Sequence, residues 1–165
     1  MIRYRRLYES ENSDINLYDI VRCAGYEWYV IDIEDDIVTL LAKNDVFGLC
    51  VFSYDNSKIY KDSEVRKYLK DSVLPKLQSA NPVPTRLNDV GVADKVWLLS
   101  TRDARDLPLK IREFENCWWL RSPGWTDSRV VYVNNDGGIY VFGHNIDLDN
   151  RAVRPAMKVR IEDLD

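Results

Sequence analysis

Two β-type apolar runs, the first of which alternates imperfectly with polar residues, stand out in the first third of the chain. The runs "YEWYVIDI" (residues 26–33) and "IVTLLAK" (residues 37–43) flank an acidic turn at residues 34–36. Runs of β-branched and aromatic residues on both sides of a polar turn are typical of a β-hairpin. Gly25 marks a bend before the first run, since glycine often interrupts strands. The pattern therefore predicts an antiparallel pair of strands.

Further β-type runs follow in the second half of the chain. "KVWLL" (95–99) and "WWLRS" (118–122) each predict a short strand, and "AVRPAMKVRI" (152–161) predicts the last one. The stretch "RVVYVNNDGGIYVFG" (129–143) predicts a second hairpin. Its residues 134–138 are of types that tolerate the positive φ angles of a tight turn.

The middle of the chain, residues 52–82, has the pattern of a helix. Asp62 or Ser63 is a suitable N-cap, and Pro75 ends or restarts the helix. Apolar spacing of i, i+3, i+4 and i+7 predicts one buried face. The residues of this face are Val65, Tyr68, Leu69 and Ser72.

A second, shorter helix is predicted after residue 100. Ser100 is a favourable N-cap, and Asp103 at the third helical position completes a capping box with Asp in place of Glu. Strands outnumber helices, and the helices lie in the middle of the chain, which is typical of α+β proteins with antiparallel sheets. We expect a single domain over residues 19–165, preceded by an N-terminal arm or an added edge strand over residues 1–18.

Composition restricts the class of partner. The chain has 165 residues, of which 45% are hydrophobic, enough for one globular domain. Its net charge of −4 argues against nucleic-acid binding, which needs a basic patch. No apolar run approaches the roughly 18 residues of a membrane span, and no secretory signal is visible at the N-terminus.

The number and spacing of the cysteines indicate the redox environment of the protein. Cys23, Cys50 and Cys117 are odd in number and far apart, and they have no metal-ligand spacing. We expect reduced thiols in a cytoplasmic protein. A phage particle, or a mature fragment of an exported protein, is the alternative.

Four stretches together resemble a bacterial and phage domain family of unknown function. They are "GYEWYVIDIEDDIVTLLAK", "FSYDNSKIYKDSEVRKYLKDSVL", "DKVWLLSTRDA", and "WWLRSPG" with the later "VRPAM". The second stretch matches a "YSNS…IR.WLN" run in the family, and the last two stretches are the most specific. The resemblance covers about residues 19–160. Ala152 stands where the family usually has a glycine before "VRPA", which leaves the local turn open.

Such domains look like distant relatives of the C-type-lectin-like fold. That fold also underlies formylglycine-generating enzymes and the variable proteins of diversity-generating retroelements. The resemblance implies two or three short helices beside a twisted antiparallel sheet, with long loops on one side. It does not transfer activity, because the catalytic cysteine pair of the formylglycine-generating enzymes has no counterpart near this C-terminus. The tripeptides with which calcium-dependent lectins bind sugar are also missing from the sequence.

The segment "CWWLRSPGW" holds three of the five tryptophans. Neighbouring side chains on a strand point to opposite faces, so we expect one of Trp118 and Trp119 in the main core and the other under a loop or helix. The alternative is a ligand platform, for which Trp125 beyond the Pro-Gly turn is the best candidate. Arg121 and Arg154 are expected to be buried donors to carboxylates or carbonyls.

Nothing in the residue pattern favours catalysis or a resident cofactor. His144 is the single histidine, and the motifs of phosphate-binding loops, dinucleotide folds and nucleophile elbows are missing. Residues 144–150 carry oxygen-bearing side chains at alternate positions, a spacing that suits calcium. However, the glycine and distal glutamate of an EF-hand are missing. We therefore expect a solvated loop without metal, no cofactor and no enzymatic activity.

The region 125–151 has the composition of a paratope, with rigid aromatic and adaptable polar side chains. In lectin-like folds this end of the domain faces ligands. The alternative is a polar hairpin without a ligand. Tyr132 and Tyr140 are weaker candidates for binding, because alternate side chains of their strands face the core. The predicted binding residues are Trp125, Arg129, Tyr132, Asn134, Asn135, Tyr140, His144, Asp147, Asp149 and Arg151.

The expected function is recognition of a protein or a glycan through this region. The alternative is a small phage-encoded intracellular inhibitor that binds and blocks a host defence protein. The sequence does not define an oligomeric state.

Overall fold

The fold is built on two β-sheets that share one apolar core. The computed structural model describes residues 14–54, 58–124, 129–145 and 150–165, except for the side chains of residues 142–145.

The first sheet is antiparallel, in the order β1-β2-β3-β11. Its strands are β1 (Ile20–Cys23), β2 (Tyr26–Glu34), β3 (Ile37–Ala42) and β11 (Ala156–Arg160). β2 and β3 form the hairpin that the sequence predicts, with Glu34 paired to Ile37 across the acidic turn. The C-terminal strand β11 pairs with β3 and lies at the opposite side of the sheet from β1.

The second sheet has the order β4-β10-β7-β8-β9. Its strands are β4 (Leu49–Cys50), β10 (Arg151–Ala152), β7 (Trp118–Pro123), β8 (Arg129–Val133) and β9 (Ile139–Asn145). The prediction of a strand at residues 118–122 and of a hairpin over residues 129–143 is confirmed by β7, β8 and β9. β10 runs parallel to β7, so the sheet is mixed, whereas the sequence pattern predicts antiparallel pairing alone. Two further strands, β5 (Thr85–Leu87) and β6 (Val92–Asp94), pair with each other.

The described helices are short and precede β7 along the chain, apart from one turn after β11. The α-helices are α1 (Glu64–Tyr68), α2 (Leu74–Leu77), α3 (Thr101–Arg105) and α4 (Leu109–Arg112), and a π-helical turn, Leu69–Val73, joins α1 to α2. Single 3-10 turns cover Tyr60–Asp62, Gln78–Ala80 and Ile161–Asp163. Of the two predicted N-caps, Ser63 caps α1, and its hydroxyl accepts a hydrogen bond from the Arg66 amide. The predicted capping box of Ser100 and Asp103 is present at α3.

The buried face of the first helical segment differs from the predicted one. Val65 and Leu69 are buried and Tyr68 is half-buried, but Ser72 is exposed and Val73 is buried in its place. The physical reason is the π-helical turn, which holds one more residue than an α-helical turn. Pro75 lies in the first turn of α2, where a missing backbone N–H costs little.

Two predicted strands are also corrected. Residues 95–99 form no strand, and Trp97 makes only an isolated bridge to Ala156. The predicted strand 152–161 is two strands, because the chain leaves the second sheet after Ala152 and joins the first sheet at Ala156. Pro155 lies at the crossing, where its lack of an N–H prevents continued pairing.

The mixture of sheets and short helices makes this an α+β protein, as predicted. Inward-facing residues of the first sheet, such as Trp28, Val30 and Leu40, are fully buried, as are Trp118 and Trp119 of the second. Among the described helices, none has the length and apolar character that a membrane crossing needs.

Candidate functional site

Strand register places four side chains in one row across the second sheet. Trp119 pairs with Tyr132, and Tyr132 pairs with Tyr140. Paired residues of neighbouring strands point to the same face. Ala152 is the partner of Trp118 in β10, so Arg151 lies on the face of Trp119. The row runs Trp119, Tyr132 and Tyr140, and Arg151 extends it on the same face, two positions out of register with Trp119.

Three members of this row form a stacked array, which we call the tyrosine–arginine ladder: Arg151, Tyr132 and Tyr140. The two tyrosine rings stack with centroids 5.0 Å apart and an interplanar angle of 22°. The Arg151 guanidinium carbon lies 4.4 Å from the Tyr132 ring centroid and 5.9 Å from that of Trp119. Stacked rings and a cation over a ring face each add to the stability of such an array.

Exposure divides the ladder into a support and a contact surface. Tyr132 is only 8% exposed, whereas Tyr140 is 48% exposed. Arg151 is half-buried. Because Tyr132 is covered, it orients its neighbours and does not present its own ring. Tyr140 is the aromatic side chain that this row offers to a ligand.

A hollow of about 120 Å³ lies beside Arg151. Its lining residues are Leu49, Asn116, Cys117, Asn150, Arg151 and Ala152. Leu49 is 54% exposed, so an apolar group lies at the sheet edge next to the ladder's cation. The hollow is too small for a drug-sized ligand, but it suits one side chain or one ring substituent.

Two of the predicted binding residues build the hairpin turn. The Asn134 amide donates to the Gly138 carbonyl, and the Asn134 side-chain oxygen accepts from the Cys117 thiol at 3.0 Å. The Asn135 carbonyl accepts from the Phe114 amide. Gly137, with φ of +90°, brings the turn against α4, and an added Cβ would lie 2.6 Å from a Leu109 methyl carbon. These contacts give Asn134 and Asn135 a structural role.

The remaining predicted residues are divided between the end of the sheet and segments outside the described residues. Arg129 is exposed at the start of β8 and pairs with Asn145. The backbone of His144 pairs with Val130 in β9, but its side chain is not among those described. Trp125, Asp147 and Asp149 lie outside the described residues altogether.

Trp118 and Trp119 are both fully buried, which confirms the core interpretation. The Trp119 indole N–H donates to the Cys50 carbonyl at 2.8 Å, and its ring packs edge-on against Phe52. The Trp118 indole N–H donates to the Arg112 carbonyl at 3.1 Å. Each ring therefore anchors the strand to a different neighbouring segment.

Arg154 is fully buried and uses carbonyls and rings, as expected of a structural donor. Its Nε donates to the Ala42 carbonyl at 2.7 Å and its Nη1 to the Ile111 carbonyl at 2.8 Å. The guanidinium carbon lies 4.7 Å from the Trp118 ring centroid. Burial lowers the pKa of Arg154 to about 9, so the group remains a cation at neutral pH.

Arg121 is the centre of an ion-pair cluster. Its Nη2 and Nε donate to the Asp89 carboxylate, at 2.8 and 3.0 Å, and its Nη1 donates to Asp103 and to the Leu98 carbonyl. Burial opposes ionisation of Asp89, but the hydrogen bonds and charge of Arg121 outweigh it and lower the Asp89 pKa. This confirms the prediction that Arg121 donates to carboxylates or carbonyls, and it does both.

A cleft of about 370 Å³, which the sequence did not predict, lies next to this cluster. The cleft lies over β2, β3 and β11, and α3 and β5 form its sides. Its lining residues are Tyr18, Ile31, Asp32, Thr39, Thr85, Arg86, Leu87, Trp97, Leu99, Asp103, Asp106, Leu107, Arg121 and Lys158. These residues come from separate segments of the chain, so no local motif marks them.

The described residues show neither an activated buried thiol nor a metal cluster. Burial raises the pKa of Cys23 to about 12 and that of Cys50 to about 11, so neither thiol ionises readily as a nucleophile must. Within the described ranges, no three His, Cys, Asp or Glu side chains are grouped to hold a metal ion. The calcium alternative rests on residues 144–150, of which residues 146–149 lie outside those ranges and the side chains of residues 144 and 145 are not described.

Two sheets with short helices and a surface aromatic array define a class of α+β domain but not a single activity. The chain belongs to a family described as "Domain of unknown function (DUF6273)", whose model matches residues 36–161. Membership in an uncharacterised domain family is thus as predicted. The curated proteins and the solved structures that were compared with the chain gave no match.

Proposed function

We propose that this chain is a non-catalytic recognition domain of C-type-lectin-like type, which binds a protein or a glycan through residues 125–151. The observation that carries the proposal is the tyrosine–arginine ladder. It combines a half-exposed tyrosine ring with a cation that is held in place by a second, buried ring. Tyrosine and arginine are the side chains that contribute most often to binding hot spots.

Preorganisation supports this interpretation of the ladder. A long arginine side chain normally loses conformational freedom when it binds a partner. Here the Arg151 guanidinium already lies 4.4 Å from the Tyr132 ring centroid, so part of that entropy is lost on folding. The exposed face of Tyr140 then offers a flat surface to a sugar ring or to an apolar side chain.

Strand pairing supports a binding surface that extends beyond the ladder. Arg129 pairs with Asn145. Residues 125–128 directly precede Arg129, and residues 146–149 directly follow Asn145. Gly124, Arg129 and Asn145, which adjoin these segments, therefore lie at one end of the sheet, whereas Asn150 precedes β10 beside the start of β7, at the other end. The lectin-like assignment is supported by the short helices beside antiparallel strands, and under it Trp125, His144, Asp147 and Asp149 join Arg129 on the ligand side.

The test is binding by the full chain in two arms. One arm is a glycan array, and the other is affinity capture from host-cell lysate followed by purification of the captured protein. For a ligand from either arm, Tyr140→Ala and Arg151→Ala should each weaken binding about tenfold or more, the range of interface hot spots. A captured host defence protein would indicate the intracellular inhibitor.

Control variants lie away from the second sheet. Tyr18 is 37% exposed in the turn before β1, and Arg160 of β11 is exposed, so Tyr18→Ala and Arg160→Ala remove the same side-chain types away from the ladder. Binding should be unchanged in both. If Tyr140→Ala and Arg151→Ala bind as tightly as the unaltered chain while remaining folded, the ladder is not the recognition surface.

A further inference from the structure

We propose that the cleft over the first sheet binds a free amino acid with an apolar side chain. This site is independent of the tyrosine–arginine ladder, which lies on the second sheet. The proposal rests on how the cleft's charged and apolar lining residues are distributed.

The floor of the cleft is a polar row across three neighbouring strands. Thr39 of β3 pairs with Asp32 of β2 on one side and with Lys158 of β11 on the other. All three line the cleft. Adjacent strands are about 4.8 Å apart, so the backbones that carry the carboxylate and the ammonium group are separated by roughly 9.6 Å, twice that spacing. The floor therefore presents opposite charges on either side of a hydroxyl.

The sides of the cleft add an apolar surface. Leu87, Trp97, Leu99 and Leu107 line it, and each is at most 6% exposed. A side chain that enters the cleft meets these four residues. Eight of the fourteen lining residues are polar or charged, so these four residues form a minor apolar part of a mainly polar cleft. Its volume of about 370 Å³ lies within the usual range for small-molecule sites.

Charge balance in the lining favours a dipolar ligand over a simple ion. Three acidic residues, Asp32, Asp103 and Asp106, and three basic ones, Arg86, Arg121 and Lys158, line the cleft. Asp103 and Arg121 pair with each other. The charged groups of the other four make no hydrogen bond or ion pair to another described residue. A zwitterion satisfies both signs at once, whereas a single ion faces an opposing charge.

The rim carries a backbone conformation that is unusual for its residue. Tyr18 has φ of 71°, which is rare for a bulky side chain. Its amide donates to the Val30 carbonyl at 2.6 Å, and its side chain lines the cleft. Strained backbone of this kind is concentrated at binding sites, and here it places an aromatic ring in the lining of the cleft.

These features define an orientation for the ligand. The α-ammonium group lies at Asp32 and the α-carboxylate at Lys158, with the Thr39 hydroxyl between them. The apolar side chain lies against Trp97 and Leu107. A ligand that lacks either charged group loses one end of this arrangement.

The experiment is calorimetric titration of the full chain with L-leucine and with L-phenylalanine. Saturable binding of either supports the proposal. N-acetyl-L-phenylalanine, which has no ammonium group, and L-phenylalaninamide, which has no carboxylate, should each bind about tenfold more weakly or not at all, since a hydrogen bond to a charged group has an effect of that size.

Variants on the same strands identify the site. Asp32→Asn and Lys158→Gln should weaken binding about tenfold or more. Glu34→Gln on β2 and Arg160→Gln on β11 are matched controls, because both residues are exposed and neither lines the cleft. Melting curves show that each variant is folded. The proposal is overturned if neither amino acid binds, if the derivatives bind equally well, or if Asp32→Asn and Lys158→Gln bind like the controls.

Discussion

At the residue scale, two buried arginines keep their charge by different means. Arg121 has two carboxylates and one carbonyl as acceptors. Arg154 has two carbonyls and the faces of Phe114 and Trp118. A buried cation without acceptors costs several kcal/mol, so both arrangements are needed for folding. The difference is that only the Arg121 cluster contains groups that lose their charge in acid.

This difference leads to a prediction for Asp89. Its pKa is lowered from the ordinary value of 3.8, so the unfolded chain binds a proton more readily than the folded one. The stabilisation is then fully present above the unfolded pKa and is lost as the pH falls through the folded pKa. The Asp89 side chain is 46% exposed, and solvent screening limits the effect to about 1 kcal/mol or less at pH 7.

Urea unfolding of Asp89→Asn at neutral and acid pH measures this effect. The variant should be less stable than the unaltered chain at pH 7, and the difference should shrink below about pH 4, near the ordinary pKa of an aspartate. Asp71→Asn, on the exposed side of the π-helical turn, is the control and should show no such loss at pH 7. A stability difference that is the same at both pH values would contradict the role of the Asp89 charge.

At the element scale, the correct predictions rest on local interactions. The two hairpins and the capping box depend on residues that are close in sequence, so turn chemistry and alternation are enough to locate them. The ladder residues Tyr132 and Tyr140 lie on one such hairpin, and the region's composition marked both as candidates. Their unequal exposure follows the sheet order, in which β8 is internal and β9 is an edge strand, and Arg151 packs over Tyr132 from a separate strand.

The features that were not predicted depend on distant contacts. The chain crosses between sheets at Pro155 because Val153 and Ala156 bond to Gly48 and Trp97, and none of these partners is a neighbour in sequence. The cleft over the first sheet has the same origin. Asp32, Thr39 and Lys158 meet only when β11 pairs with β3. The π-helical turn was not predicted for a different reason. The apolar periodicity that predicts a buried helix face assumes the regular α-helical spacing, and a π-helical turn departs from it.

The shifted register of the helical segment gives a second prediction. Val73 is 1% exposed and Ser72 is exposed. Val73→Ala should therefore lower the free energy of unfolding by about 2 kcal/mol, as for deletion of buried methyl groups. Ser72→Ala should change it by less than about 0.5 kcal/mol. Urea unfolding of both variants measures the two effects. If Ser72→Ala is the more destabilising change, the segment continues as a regular α-helix.

At the scale of the whole molecule, several contacts join the two sheets. The Arg154 side chain bonds to Ala42 at the end of β3 and packs on Trp118 of β7. The segment 97–99 bridges the sheets, because the Trp97 backbone bonds to Ala156 of β11 in both directions and the Leu99 carbonyl accepts from the Arg121 amide of β7. Buried residues of both sheets belong to one apolar cluster. These links favour the single domain expected over residues 19–165, in which both sheets unfold together.

The natural thiols allow a direct test of that expectation. Cys23 in β1 and Cys50 in β4 are buried, one in each sheet. Burial raises their pKa values to about 12 and about 11, so the folded thiols react slowly, whereas an unfolded thiol has a pKa of about 8.5 and is readily alkylated. Each thiol therefore reports unfolding of its own sheet.

Pulsed alkylation across a urea series, with the two sites quantified by mass spectrometry, measures both unfolding free energies in one sample. A Cys117→Ser background removes the half-exposed third thiol. In the unaltered chain this thiol donates to the Asn134 side-chain oxygen, and the serine hydroxyl can donate in its place. If the sheets form one cooperative unit, the free energies at Cys23 and Cys50 should agree within about 1 kcal/mol, whereas separate units open with different free energies. A thiol that becomes reactive at clearly lower urea would show that its sheet opens alone, and the contacts of Arg154 and Trp97 would then not couple the two halves of the fold.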